Sequence, residues 1–331
     1  MNHLEKNISE FGKQLTEKNI TGANLEKLSG LRVDGIVIMG VGGSARPGEM
    51  MSAVKKEIGL NIPVVAWKDY GLPDLKSSYN IKKPLYICVS FSGDTEEPLS
   101  GFKLLLKKKN VWLAAVTSGG ELKRLAMEHD IPLASFPAND LTPRQSLGIM
   151  FYGLTKILKA AGLKIKIKDL SKRAISNSFR KEGKEIASYL KDKTVVIYTD
   201  ELHRHLGYIW KIKLNETAKN PAFNNVLPEM DHNEITGFDG GKFNGAAIFI
   251  ESASNPRMKK RFKLTEKLLK ERGVRVIELK LSGKTEIEKT WNMMVLADWT
   301  SYFLAKFNGV PEEEFNIINP KIVIALKKLM G

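Results

Sequence analysis

Leu85-Tyr86-Ile87-Cys88-Val89-Ser90-Phe91-Ser92-Gly93-Asp94-Thr95-Glu96-Glu97-Pro98 decides the fold class. Its first five residues are an apolar run of strand length, and residues 98–108 carry a helical pattern. Between them lie hydroxyls, a glycine and acids, the composition of a turn closing onto a helix start. The same grammar recurs on either side. Residues 35–39, 64–67, 111–116 and 131–136 read as strands, Met50, Val54 and Ile58 mark a helix at four-residue spacing, and Pro143 opens a helix to about residue 161. Strands alternating with helices predict βαβ units and a parallel, doubly wound sheet.

Residues 162–185 are polar and lysine-rich, and after them the pattern begins again. Strands are expected at 194–198, 245–250 and 274–279. Helices are expected at 203–218, with Leu206, Trp210 and Leu214 on one face, and at 258–271, 285–306 and 320–329. The division predicted is one α/β domain over residues 1–160, a connecting segment over 161–188, and a second α/β domain over 189–331 that ends in a helix.

Composition narrows the partners. The chain of 331 residues is 43% hydrophobic and 27% charged, enough apolar surface for a core. Its single cysteine, Cys88, allows no internal disulfide and sits in an apolar run, where a buried, inert thiol is expected. There is neither a secretory leader pattern nor an apolar run of membrane-spanning length, so a cytoplasmic protein without a membrane partner is expected. The net charge of +15 favours an anionic substrate. The lysine clusters are not interleaved with aromatics, which argues against nucleic acid.

Two turns are suited to holding a phosphate. Gly40-Val41-Gly42-Gly43-Ser44 joins a strand to a helix, with Pro47 at a first-helical position. Ser90–Thr95 brings three hydroxyls and a glycine to another helix start, where the helix dipole adds positive charge. Asp94 or Thr95 is expected to cap that helix, and Glu96 and Glu97 to face away from an anion or to bind sugar hydroxyls. The corresponding turn of the second half, Glu251-Ser252-Ala253-Ser254-Asn255-Pro256, lacks this pattern, so one phosphate site per chain is expected.

Residues 90–97 resemble the phosphate loop of the sugar isomerase (SIS) domain. Three further stretches extend the likeness: Thr142-Pro143-Arg144-Gln145-Ser146-Leu147-Gly148, Asn215-Glu216-Thr217-Ala218-Lys219-Asn220-Pro221-Ala222 and Pro228-Glu229-Met230-Asp231-His232-Asn233-Glu234-Ile235-Thr236-Gly237. Together they resemble the bifunctional phosphoglucose/phosphomannose isomerases over nearly the whole chain. The resemblance implies two flavodoxin-like SIS domains in tandem. It also implies metal- and cofactor-free interconversion of glucose 6-phosphate, and mannose 6-phosphate, with fructose 6-phosphate through a cis-enediol. By the same resemblance Glu216 moves the proton, Arg144 stabilises the enediolate, and His232 opens the sugar ring from the partner subunit of a homodimer. Gly43, Ser44, Ser90, Ser92 and Thr95 hold the phosphate, and a C-terminal lysine, Lys327 or its neighbour Lys328, touches substrate. The remaining histidines, His3, His129, His203 and His205, match no motif and are read as surface or helix residues.

The chain departs from that pattern twice. Its first turn continues Ala45-Arg46-Pro47-Gly48-Glu49 instead of small residues, leaving Arg46 either a phosphate contact or solvent-facing. The family's C-terminal Asp-Pro-Thr-Pro, whose threonine is linked to acceptance of the mannose epimer, is replaced by Val310-Pro311-Glu312-Glu313-Glu314-Phe315 with Asn319-Pro320 further on. Two other readings compete. A non-catalytic sugar-phosphate-binding SIS protein would leave Glu216 and His232 dispensable. An NAD(P)-dependent oxidoreductase would use Gly40, Gly42 and Ala45 with Asp69, but leaves residues 90–95 unexplained.

Overall fold

In a computed structural model of the chain, residues 2–172, 178–241, 243–252, 255–315 and 321–330 are described. The N-terminal sheet is built from β1 (Thr21–Ala23), β2 (Gly35–Met39), β3 (Val64–Trp67), β4 (Pro84–Ser90), β5 (Trp112–Thr117) and β6 (Leu133–Ser135). Its spatial order is β1-β6-β5-β4-β2-β3. Strands β2 to β6 run parallel, and β1 runs antiparallel to β6. The helices of this half are α1 (His3–Ser9), α2 (Arg46–Val54), α3 (Leu75–Tyr79), α4 (Glu96–Leu106), α5 (Gly120–Glu128) and α6 (Leu147–Ala160).

The second half contains α7 (Ser178–Leu190), β7 (Thr194–Asp200), α8 (Arg204–Glu216), β8 (Ala222–Leu227), β9 (Gly245–Glu251), α9 (Pro256–Glu271), β10 (Arg275–Lys280), α10 (Glu286–Phe307) and α11 (Lys321–Met330). Its sheet has the order β10-β9-β7-β8 and is parallel throughout. The doubly wound expectation holds in both halves.

Strand periodicity explains the layering. On β2, Ile36 and Ile38 enter one core while Val37 and Met39 enter another, because alternate side chains leave opposite faces of a strand. On β7, Val195 and Ile197 join the first core, and Val196 and Tyr198 a third. The first core is therefore continuous between the two halves. Trp291 of α10 lies 5.4 Å, ring to ring, from Phe151 of α6 and 5.8 Å from Phe11. Helix α7 lies in the stretch read as a connector, yet Ile186, Ala187 and Leu190 are buried in that shared core. It presses so close to α10 that a Cβ on Gly183 would stand 2.7 Å from the Trp299 Cβ.

Two strands were not anticipated. β1 is only three residues long. β8 carries Asn224 and Asn225 at its centre, so neither apolar alternation nor an apolar run marks it. Cys88 is fully buried, as expected; its Sγ donates to the Pro98 carbonyl at 3.4 Å, and burial pushes the thiol pKa up.

Each parallel sheet reverses its winding once, between β2 and β4 and between β7 and β9. Ligands of open α/β sheets bind outside the carboxyl ends of the strands at such a reversal. The two phosphate-suited turns follow β2 and β4, so topology brings them together.

Candidate active site

At the first reversal the turns interlock. Gly40 is crossed by backbone on two sides; a Cβ there would lie 2.8 Å from the Ser44 carbonyl oxygen and 2.9 Å from that of Val89. The chain then forms a tight turn over Gly42–Ala45, with Gly42 at φ +54°. Ser44 Oγ accepts from the Phe91 N–H at 3.0 Å, stitching the first turn to the second. Ser90 Oγ accepts from the Gly93 N–H at 3.0 Å and lies 3.0 Å from Thr95 Oγ1. Ser92 is exposed, and its Oγ accepts from the Asp94 N–H at 3.2 Å. Neither expected cap serves α4: the Thr95 hydroxyl turns to Ser90, and Asp94 accepts from the Glu121 N–H at the start of α5. The Glu96 carboxylate is engaged by the Tyr70 hydroxyl at 3.1 Å. Ser118, which the sequence reading passed over, donates to the Phe91 carbonyl at 2.6 Å and shapes the loop from β5. Its signal was Thr117-Ser118-Gly119-Gly120 at a strand end.

Arg144 adjoins this cradle. A Cβ on Gly43 would stand 2.9 Å from the Pro143 carbonyl carbon and oxygen, so only glycine lets the two turns touch. Among the described residues Arg144 reaches three groups of distant segments. Nε donates to Thr217 Oγ1 at 3.0 Å, Nη1 to Glu216 Oε2 at 3.1 Å, and Nη2 to the Phe315 carbonyl at 2.5 Å. Burial lowers the Arg144 pKa, and the charge of Glu216 opposes that. The Arg144 side chain is 2% exposed and that of Glu216 39%, so a fixed cation stands behind a carboxylate that is open to solvent.

The Glu216 end of α8 is clamped. Asn215 accepts from the Ala222 N–H at 2.8 Å and donates to its carbonyl at 3.1 Å, closing the turn into β8. Lys219 donates to the Glu216 carbonyl at 2.8 Å. One turn earlier Lys213, 1% exposed, donates to the Arg144 carbonyl at 3.1 Å and pairs with Asp298 of α10. Sequence reading missed this pair because its members are 85 residues apart on two helices.

His232 comes from another element. It is exposed, at the end of a short turn after β8. Asp231 on one side accepts from Arg261 at 2.7 Å and from Thr265 at 2.9 Å. Glu234 on the other accepts from the Tyr198 hydroxyl at 2.5 Å and from Asn225 at 2.6 Å. Among the described residues no hydrogen bond or ion pair joins His232 to Arg144 or Glu216. Lys327 belongs to α11, but its side chain lies outside the described residues; Lys328 is exposed. A cavity of about 670 Å³ bordered by Lys6, Glu10, Lys13, Asp140 and Leu141 is separate from the Arg144 cluster.

Two sequence readings need correction. His203 and His205 are helix residues, the N-cap and second residue of α8, but not surface ones; they are 3% and 4% exposed. His203 sits at the second reversal, Nδ1 2.7 Å from Asp200 Oδ1 and Nε2 3.0 Å from Glu286 Oε2. A phosphate there would meet two carboxylates. Arg46 neither faces solvent nor stands free for an anion: it is 1% exposed, ion-paired with Glu49, its guanidinium carbon 3.8 Å above the Tyr208 ring. The reading of the turn 251–256 falls partly outside the described residues. Ala253 and Ser254 lie outside the described residues, while Asn255 caps α9 by accepting from the Arg257 N–H at 2.9 Å.

Known proteins resemble the chain over most of its length. The bacterial phospho-glucose isomerase C-terminal SIS domain family matches residues 179–320. A bifunctional phosphoglucose/phosphomannose isomerase of Aquifex aeolicus is 33% identical over 83% of this chain and 85% of its own. A D-glucosamine-6-phosphate 4-epimerase of Sulfolobus acidocaldarius is 30% identical over 71% of this chain and 72% of its own. The structure of tagatose-6-phosphate ketose/aldose isomerase from Escherichia coli superposes with a TM-score of 0.64 at 14% identity, covering 96% of both chains.

Proposed function

Since the chain belongs to the family of bifunctional phosphoglucose/phosphomannose isomerases, we propose that it interconverts glucose 6-phosphate and mannose 6-phosphate with fructose 6-phosphate, without a metal or cofactor. The observation that carries this reading is the solvent-open Glu216 carboxylate 3.1 Å from the buried Arg144, with Arg144 packed through Gly43 against the phosphate-suited turns. The substrate phosphate is held by Gly43, Ser44, Ser90, Ser92 and Thr95, with hydroxyls and the N-terminus of α4 as donors. In the open-chain aldose, Glu216 takes the C2 proton while the C1 carbonyl oxygen gains one, giving the cis-enediol. Glu216 returns its proton to C1, and the O2 hydroxyl proton leaves as the C2 ketone forms. Arg144 offsets the negative charge that develops on the enediol oxygens. Return of the proton to either face of C2 yields glucose 6-phosphate or its mannose epimer.

The ring must open first. His232 is suited to that proton transfer. Held outward between two anchored carboxylates, it serves the site of a second copy, in a homodimer. A substrate contact by Lys327 is carried by the family resemblance alone. None of the described helices is long and apolar enough to cross a membrane, and the one cysteine forms no disulfide. Both are compatible with a place in cytoplasmic sugar-phosphate metabolism.

The test is incubation of the purified protein with fructose 6-phosphate, with and without a chelator, assaying glucose 6-phosphate and mannose 6-phosphate separately. Formation of both, unaffected by the chelator, supports the reading. Binding without turnover transfers it to a non-catalytic sugar-phosphate protein. If glucosamine 6-phosphate is epimerised at C4 while fructose 6-phosphate is untouched, the activity is that named for the Sulfolobus relative.

A further inference from the structure

Arg46 stands where the family's first turn has small residues, and its surroundings are specific. Its Nε donates to the Gly42 carbonyl at 3.0 Å, and Gly42 holds the left-handed conformation on which the turn depends. Its guanidinium pairs with Glu49, whose second oxygen takes Lys68 at 2.9 Å. The guanidinium carbon lies over the ring of Tyr208, on α8, 3.8 Å from its centre. Tyr208 precedes Glu216 by two turns of one unbroken helix, about 12 Å along its axis at 1.5 Å per residue.

We propose that Arg46 is a positioning residue that sets the separation between the phosphate turn and the Glu216 carboxylate. The inference rests on the isomerase reading above. In such a reaction the phosphate anchors one end of a six-carbon substrate while the proton moves at the other. The span between anchor and base must therefore be held, and a misplacement of about 1 Å costs as much as 100-fold in rate. One link across that span is Gly43 against the Arg144 backbone, with Arg144 bonded to Glu216. The second is Gly42 to Arg46 to Tyr208 and along α8. Arginine suits this link because its edge offers N–H donors while its face stacks on the ring; a lysine ammonium has no such face.

The experiment compares Arg46→Met, Arg46→Lys, Tyr208→Phe and Tyr208→Leu with wild type. It uses steady-state kinetics on fructose 6-phosphate, calorimetric affinity for inorganic phosphate, and thermal unfolding. Arg46→Met is expected to raise KM about 10-fold and lower kcat about 10-fold, and Arg46→Lys to recover less than half of either loss on a logarithmic scale. Tyr208→Phe keeps the ring and behaves as wild type. Tyr208→Leu leaves the Gly42 bond in place, so kcat falls about 5-fold while KM and phosphate affinity stay within about 2-fold. Wild-type kcat and KM in Arg46→Met overturn the proposal, as does a set of variants that lose thermal stability alone. If wild type converts no sugar phosphate, the isomerase reading fails separately. Phosphate affinity then decides: about 10-fold weakening in Arg46→Met with none in Tyr208→Leu upholds the positioning of the turn, and equal affinities overturn it.

Discussion

Nη1 of Arg144 donates to Oε2 of Glu216 across 3.1 Å, joining the turn after β6 to the last residue of α8. Two residues 72 apart in the chain, one on a turn of the first half and one at a helix end of the second, thus form the charged centre of the site.

Glu216→Gln removes the base but keeps an oxygen facing Arg144. Isomerisation is expected to fall by about 10²- to 10⁴-fold, the range for positioned acid–base groups. The Glu216 side chain is 39% exposed, so the melting temperature should barely move. A coupled fructose 6-phosphate assay beside a thermal melt checks both; retained turnover removes Glu216 from the mechanism.

Arg144→Met should damage fold and catalysis together. It strands the Phe315 carbonyl and the Thr217 hydroxyl, both bonded by the guanidinium. Buried groups losing partners in this way cost about 2–4 kcal/mol in all. Urea unfolding measures the loss. A variant as stable as wild type shows that water replaces those contacts.

Mixing Glu216→Gln and His232→Gln protomers tests the shared site. Each variant alone should be nearly inactive. If His232 crosses a twofold interface, random reassortment restores about a quarter of wild-type activity, because about half the dimers are mixed and each mixed dimer has one intact site of its two. No recovery after unfolding and refolding the mixture places His232 in the site of its own chain, or outside catalysis.

The buried histidines predict opposite pH limbs. Burial opposes charge on His203, but the hydrogen bonds and charges of Asp200 and Glu286 outweigh it and raise its pKa above 6.5. That stabilisation is complete below pH about 6.5 and is lost as pH rises through the folded value. Burial, with His203 beside it, pushes His205 down to about 3 from 6.5. His205 therefore withdraws stability as pH falls below about 6.5, where the unfolded chain takes up a proton and the folded chain does not. Melting temperatures from pH 4 to 9 should flatten on the alkaline side in His203→Gln and on the acid side in His205→Gln. An unchanged profile in either variant removes that histidine from the account.

Much of the fold was legible because its signals are local. Apolar runs of strand length and helical spacing depend on a few neighbouring residues, and they placed β2, β4, β7 and β9 with the helices between them. β8 escaped because Asn224 and Asn225 give it no apolar alternation; it is a strand because Asn215 and the edge of β7 hold it there. Lys213, His203 and Arg46 escaped for another reason. A charged residue on a helix reads as surface unless its partner is known, and the partners Asp298, Glu286 and Tyr208 lie far along the chain.

The sequence alone determined the alternation of strands and helices, the glycine- and serine-rich turns, and the residue types able to carry a proton and a phosphate, because each is written in neighbouring residues. The tertiary structure alone decided which of those residues meet. It brought Gly43 against Arg144 and Arg144 to Glu216, turned Arg46 inward, and filled the second reversal with Asp200, His203 and Glu286. Such contacts depend on where two sheets sharing one core bring distant segments, and on the desolvation that makes a buried charge keep whatever partner it finds.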